Sequence, residues 1–263
     1  AAGHSNGVFQ VESEGMKRAL KQIKPTRIDD LIAVGALFRP GPMEMIPLYA
    51  DCKNGVKEPT YPEPVSGTKP FLEETFGILV YQEQVMQVAQ VVAGYSLGGA
   101  DLLRRAMGKK IKEEMDKQRV LFVEGAVKNG HSAKDAGALF DTIAKFANYG
   151  FNKSHAAAYG VISYQTAYLK KNYPAHFYAA SLTYESEPDK MALLKEDMDT
   201  DGVPMLLPDI NKSNFRFKPE KMADGRYGVR FGLGAIKKLT GDMGELVKAR
   251  ASGPFTSLED FHQ

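Results

Sequence analysis

Asn152, Lys153, Ser154 and His155 stand together in NYGFNKSHAAAYG (148–160), where one helical pattern ends and an alanine-rich one begins. A lysine and an imidazole at the start of a helix are a chemistry for anions. The first amides of a helix lack intrahelical acceptors, and that end carries roughly half a positive charge. Ser154 is placed to cap the helix, which would leave the amides of His155, Ala156 and Ala157 as donors. Ala156–Ala158 add little bulk, so a phosphate could approach the backbone. The plainer reading is an ordinary helix start with a solvated lysine.

LLRRAMGKKIK (102–112) is a second candidate. On a helix Arg105, Lys109 and Lys112 fall at i, i+4 and i+7 and make one basic stripe, with Arg104 about 100° round from Arg105. Like charges at that spacing cost about 0.2–0.5 kcal/mol per pair, which suggests an anionic partner. Against this, Asp101 could pair with Arg105, and Glu113, Glu114 and Asp116 could neutralise the rest. Gly108 weakens the continuity of the stripe.

A third, weaker signal is GLGAIKKLTGDMGELVKAR (232–250), where glycine turns adjoin Lys237 and Lys238. Helix–hairpin–helix modules use such turns to aim backbone amides at a DNA phosphate. Other constellations are missing from the sequence. There is no P-loop, G-x-S-x-G or H-E-x-x-H, and no carboxylate pair marks a two-metal site. DTDG (199–202) reads as a turn.

Helical periodicity must position these groups. Met16, Ala19, Leu20 and Ile23 recur at helical spacing before Pro25. DDLIAVGALF (29–38) places two acids in a first turn, and RPGP stops it. Residues 54–70, rich in Pro and Gly, read as a long loop. YQEQVMQVAQVVAG (81–94) reads as a buried helix closed by Gly94. Ser96 and Ser132 are N-cap residues for the next helices, the latter with Asp135 in a capping-box pattern. A further helix spans 154–171, with Tyr159, Ile162, Thr166 and Leu169 on one face, and Pro174 opens a shorter continuation. After residue 186 the texture changes. FRF (215–217) and YGVRF (227–231) flank Asp224-Gly225 and read as a β-hairpin. Two short helical pieces follow. The expected class is mainly α, with a ragged start (1–6), a helical body (7–186) and a mixed tail (187–263).

Composition narrows the function. The formal net charge is +2, so binding to nucleic acid or phosphate must come from local patches. The single Cys52 excludes an internal disulfide framework and multi-cysteine zinc sites, and points to a reducing compartment. No apolar run is long enough to span a bilayer, and no signal-peptide pattern is present.

GVFQVESEGMKRAL, ALFRPGPM, GILVYQEQVMQVAQVVAGYSLGGADLLRRAMGKK, YGFNKSHAAAYGVISYQTAYLK and LLPDINKS are long and unusual blocks. Together they resemble the alpha subunits of bacterial DNA polymerase III, the C-family replicative polymerases. The resemblance is nearly continuous over 7–261 and covers the fingers domain and the beginning of the helix–hairpin–helix region.

What the resemblance implies is a cytoplasmic DNA-directed DNA polymerase as the parent, working on template–primer DNA and dNTP with other holoenzyme subunits. Arg104, Arg105, Lys153, Ser154 and His155 would serve the incoming dNTP. Lys109, Lys110, Tyr149 and Phe151 would face the template or the nascent pair, and Lys237 and Lys238 would touch DNA phosphates. The catalytic Mg2+ would be held by palm aspartates absent from this sequence, so no metal is expected on this chain and no primer extension by it alone. A stand-alone helical DNA-binding scaffold, or a protein-interaction module of a replication complex, are the rival readings.

Overall fold

The computed structural model describes residues 4–109, 112–146, 149–239 and 243–262. The fold is mainly α, and its contacts divide into two compact units, Glu14–Ile162 and His4–Ser13 with Ser163–Gln263.

In the first unit, α1 (Glu14–Ile23) buries Met16, Ala19, Leu20 and Ile23, the face its spacing predicts. Helix α2 (Ile28–Leu37) is organised by its acid at 30 more than by a diffuse dipole effect. Asp30 is fully buried, and its Oδ2 accepts the amides of Thr26 and Arg27 at 2.9 and 3.2 Å. The Tyr49 hydroxyl and the Lys53 ammonium, both on α3 (Ile46–Lys53), also reach this carboxylate, at 3.2 and 3.3 Å.

The expected loop over 54–70 is corrected at its end. Residues Val65–Leu72 form α4, which packs its Gly67, Thr68 and Leu72 face on α5 (Gln82–Ala93). The Thr68 hydroxyl fixes the turn by donating to the Pro62 carbonyl at 2.6 Å. Tertiary packing overrides the Pro/Gly composition here.

Helix α5 ends at Gly94, which is left-handed at φ 68°, as a C′ glycine should be. Ser96 caps α6 (Leu97–Lys109) by accepting the Gly99 amide at 3.0 Å. Ser132 caps α8 (Ala133–Phe146) through the Asp135 amide, also at 3.0 Å. With α7 (Lys112–Lys128) these helices share one core. Val85, Val88, Ala89 and Val92 meet Leu103 and Met107, Phe122 and Ala126, and Leu139, Phe140 and Ile143. Helix α9 (Lys153–Asn172) begins in this unit.

In the second unit, α10 (Pro174–Tyr184) and α11 (Pro188–Thr200) pack together, and α10 also packs on a small sheet. Strand β3 (Tyr227–Arg230) lies at its centre, parallel to β1 (Met205–Leu206) and antiparallel to β2 (Lys218–Lys221). The sequence thus places the hairpin correctly but its first arm too early. FRF precedes the strand, with Phe217 buried in the core, and the arm is KPEK. Pro219 is tolerated there because β2 is an edge strand. Helix α11 lies in the stretch read as mixed tail. α10, read from its helical pattern as part of the helical body, contributes Phe177, Tyr178 and Leu182 to this second core. The short α12 (Met243–Ala249) and α13 (Leu258–His262) are the two terminal helical pieces.

Of the expected ragged start over 1–6, residues 1–3 lie outside the described residues, and residues 4–6 are tied into the second unit. Ser5 is buried and its hydroxyl donates to the Val11 carbonyl. The Lys170 ammonium, 7% exposed, donates to the Asn6 carbonyl at 2.9 Å and pairs with Asp197, while the Asn6 amide donates to Asp197 Oδ1 at 3.0 Å. The partners Asn6, Lys170 and Asp197 are too far apart in sequence for local patterning to reveal them.

Candidate nucleotide-facing site

Two separated motifs converge in the first unit. Residues Val80–Gln82 pair with Phe151 in an isolated parallel bridge. The Phe151 amide donates to the Val80 carbonyl at 3.1 Å, and the Gln82 amide to the Phe151 carbonyl at 2.9 Å. This brings Gly150 to the start of α5. Arg104, Met107 and Gly108 of α6 then line one small cavity with Gln82, Val85, Phe146 and Gly150. Arg104, Met107 and Gly108 of one motif and Gly150 of the other therefore share a cavity, which spacing along the chain does not disclose.

The helix start differs from expectation. Asn152, not Ser154, caps α9, because its side-chain carbonyl sits three residues before the His155 amide and accepts it at 2.8 Å. Ser154 lies inside the first turn, exposed. The amides expected to be open donors are partly used, since Ala156 donates to the Asn152 carbonyl. The Lys153 amide donates to both Glu83 oxygens at 3.1 and 3.0 Å. The positive end of the helix is thus already faced by a carboxylate.

The side-chain cations are also partnered. Lys153 Nζ lies 2.8 and 2.6 Å from the two Glu74 oxygens and 5.4 Å from the Tyr81 ring centroid. Asp101 holds both arginines: Arg104 through Nε and Nη2 at 2.9 and 2.8 Å, and Arg105 through Nε at 2.8 Å. The hydrogen bond from Arg104 leads the forces that hold the Asp101 carboxyl below the usual aspartate range. Arg104 is the more enclosed of the two, its side chain 34% exposed against 64% for Arg105. Lys109 is exposed at the end of α6, while Lys112 opens α7. The expected stripe is therefore shared by two elements. Lys110 lies outside the described residues.

His155 packs between Phe151 and Tyr159, with ring centroids 5.5 and 4.3 Å away. Arg39 extends this stack and was not legible as a site residue. Its guanidinium lies 4.5 Å over the Phe151 ring, Nη2 donates to the Tyr149 carbonyl at 2.7 Å, and Nε to the Ala36 carbonyl at 2.9 Å. Tyr149 lies flat against Gly41, where a Cβ would come within 2.2 Å of the ring. Gly41 also has φ 98°, so the RPGP turn needs glycine there twice over. The signal that could have found Arg39 is a lone cation fixed between a helix end and a proline turn.

In the second unit, Lys237 and Lys238 are exposed just after a 3-10 turn, Leu233–Ala235. Gly232 lets this turn pass the backbone of 215–217, where a Cβ would meet the Phe217 nitrogen at 2.6 Å. Among the described residues there is no cluster of three or more His, Cys, Asp or Glu that could hold a metal ion. None of their helices is long and apolar enough to cross a membrane.

This chain gathers basic side chains and exposed aromatic rings at one joint of its first unit, and carries two exposed lysines beside a glycine-bearing turn in its second. Its kinship is specific. Residues 1–130 match the model of the bacterial DNA polymerase III alpha subunit finger domain, and residues 202–263 match a helix-hairpin-helix motif. DNA polymerase III subunit alpha of Rickettsia bellii is 49% identical over 98% of this chain, and those of Xylella fastidiosa and Pseudomonas aeruginosa are each 51% identical over 99% and 98%. The chain belongs to the bacterial DNA polymerase III alpha subunit family and includes its finger domain. It spans 22–24% of the length of these relatives.

Proposed function

We propose that the chain is the portion of a replicative DNA polymerase that closes on the incoming nucleotide during DNA-templated nucleotidyl transfer. The observation that carries this is the shared cavity of Arg104 and Gly150, which brings one arginine of the pair beside the backbone of the 149–155 joint. Arg104, Arg105, Lys153, Ser154 and His155 would face the triphosphate. Tyr149 and Phe151, with Lys109 and Lys110, would face the nascent pair or template, and Lys237 and Lys238 the duplex phosphates. In phosphoryl transfer a protein contributes position and charge more than covalent chemistry. Here Asp101 and Glu74 hold the cations in place until phosphate oxygens compete for them.

The metal ions of such a reaction organise the attacking and leaving oxygens. We place Mg2+ on parts of the parent outside the chain, as the resemblance to the C-family polymerases implies. On this reading the parent works in the cytoplasm on template–primer DNA and dNTP with other holoenzyme subunits, and the isolated chain does not extend a primer. The helix-hairpin-helix match also suits a plain DNA-binding scaffold, which would bind DNA but not triphosphate.

The test is single-turnover incorporation by the full-length polymerase at several dNTP concentrations, with melting temperature as the folding control. Alanine at Lys153 or Arg104 should cost about ten- to a hundredfold, the worth of one charge-assisted contact. Arg105→Ala should cost less, because Arg105 is more solvated. Normal incorporation by all three variants would place the nucleotide elsewhere.

A further inference from the structure

A row of aromatic rings crosses the surface of the second unit. Tyr164 and Tyr168 on α9 are 6.3 Å apart between centroids, Tyr168 and Tyr173 6.4 Å, Tyr173 and His176 on α10 6.2 Å, and His176 and Tyr227 on β3 5.4 Å. The four tyrosines are 46–51% exposed, and His176 is exposed too. The interplanar angles are 37°, 52°, 87° and 48°, so no ring covers its neighbour face to face. Much of each ring is left for something else.

Two cations flank the row. Tyr164, Tyr168 and Lys171 fall at i, i+4 and i+7 of α9 and share its face. At the far end Lys221 is the cross-strand partner of Tyr227, so both side chains stand on the same side of the sheet. Both lysines are exposed. The nearby acids are already engaged, Asp224 with Arg226 and Glu220 with Arg230.

The geometry points to a single-stranded nucleic-acid track over Tyr164, Tyr168, Tyr173, His176 and Tyr227, with bases on the rings and phosphates on Lys171 and Lys221. The chemistry of the row favours this occupant over a protein segment. Each ring carries a polar group as well as a π face, and the side chains that flank the row, Lys171 and Lys221, are cations. Base–aromatic stacking tolerates any sequence, since every base has a π face, and positive charge beside the rings follows the backbone. The inference extends the proposed work on DNA by naming a strand and a surface, separate from the residues assigned to the triphosphate.

The test is fluorescence anisotropy of the 263-residue chain with a labelled oligo-dT, a duplex of equal length, and an abasic strand with the same phosphates. Oligo-dT should bind more tightly than either comparator. The Tyr164→Ala/Tyr168→Ala/Tyr173→Ala triple variant should weaken oligo-dT binding about tenfold or more, while the matching Phe triple variant keeps it. Lys171→Ala with Lys221→Ala should lower the log–log salt slope by about 1.4, the share of two single-strand phosphates. Equal binding of oligo-dT and the abasic strand by the wild-type chain would overturn the track, even if the alanine variant fails to fold. So would binding unchanged in a folded alanine variant, or no binding of oligo-dT at all. Because this readout needs no incorporation, its failure leaves the triphosphate assignment standing, and normal incorporation by the Arg104 and Lys153 variants leaves the track standing.

Discussion

Glu83 closes the amino end of α9: both of its oxygens accept the Lys153 amide, at 3.1 and 3.0 Å. One of them also accepts the Asn152 side-chain amide at 2.8 Å. A phosphate arriving at this helix end would meet a carboxylate, not open amides. The Lys153 side chain is different. Its pair with Glu74 is more than a third exposed on both sides, where ion pairs are weak and exchange with other anions is cheap. On the proposed reading, it is therefore the side chain and not the helix terminus that would take the phosphate.

Removing Glu83 should loosen the joint. Glu83→Ala leaves the Lys153 amide and the Asn152 side chain without their acceptor and takes a negative charge from a helix start. The expected loss is about 1–2 kcal/mol, read as a lower urea midpoint at unchanged m-value. A midpoint equal to wild type would mean water replaces the carboxylate at no cost.

Arg39 should be sensitive to shape as well as charge. Its planar guanidinium lies over Phe151 while the same group holds the Tyr149 carbonyl. A lysine keeps the charge but not the fork. Arg39→Ala and Arg39→Lys are both expected to lose about 1–3 kcal/mol in denaturant unfolding, with lysine recovering less than half. Full recovery by lysine would show that charge alone anchors the segment.

The helices were largely legible because their buried faces repeat at helical spacing, as α1 and α5 show through Met16, Ala19, Leu20 and Ile23 and through Val85, Val88, Ala89 and Val92. What periodicity misses is contact between distant segments. Helix α4 forms in a Pro/Gly-rich stretch because α5 offers it a surface. Asn152 took the cap assigned to Ser154, a competition between neighbouring polar residues that only backbone geometry decides. The basic motifs were visible as motifs, but Asp101, Glu74 and Glu83 as their partners were not all so. Asp101 is four residues from Arg105, whereas Glu74 and Glu83 lie 79 and 70 residues from Lys153. Arg39 was hidden for the same reason, its bond to Tyr149 crossing 110 residues.

The second unit should come apart at a polar staple. Asn211 donates to the Phe255 carbonyl at 2.9 Å and accepts the Phe255 amide at 2.8 Å, a two-way bond that ties the PDINKS loop to the stretch before α13. Arg250 adds bonds to the Ile210 and Ser213 carbonyls at 2.9 and 2.6 Å. Asn211→Ala should release the segment locally, with faster amide exchange over 253–262 and little change around Val229. Exchange accelerated equally in both regions, or unchanged in both, would contradict a local staple.

Asp30 should make the first unit acid-sensitive. Burial by itself would raise its carboxyl, but the amides of Thr26 and Arg27, followed by the Lys53 ammonium, outweigh it, and the group titrates below the ordinary aspartate range. A folded-state value below the unfolded one means that the unfolded chain binds the proton first. The stabilisation is then fully present above about pH 4, the unfolded aspartate value, and is lost as the pH falls through the lower folded value. Asp30→Asn removes the charge while keeping the shape, so it should lower the melting temperature at neutral pH. The gap between wild type and variant should hold constant from pH 7 to about pH 5 and narrow below about pH 4. Melting curves of both proteins across that range decide the matter. A gap that widens on acidification would mean that Asp30 is protonated in the folded state, and that burial, not the amides and the lysine, sets its charge.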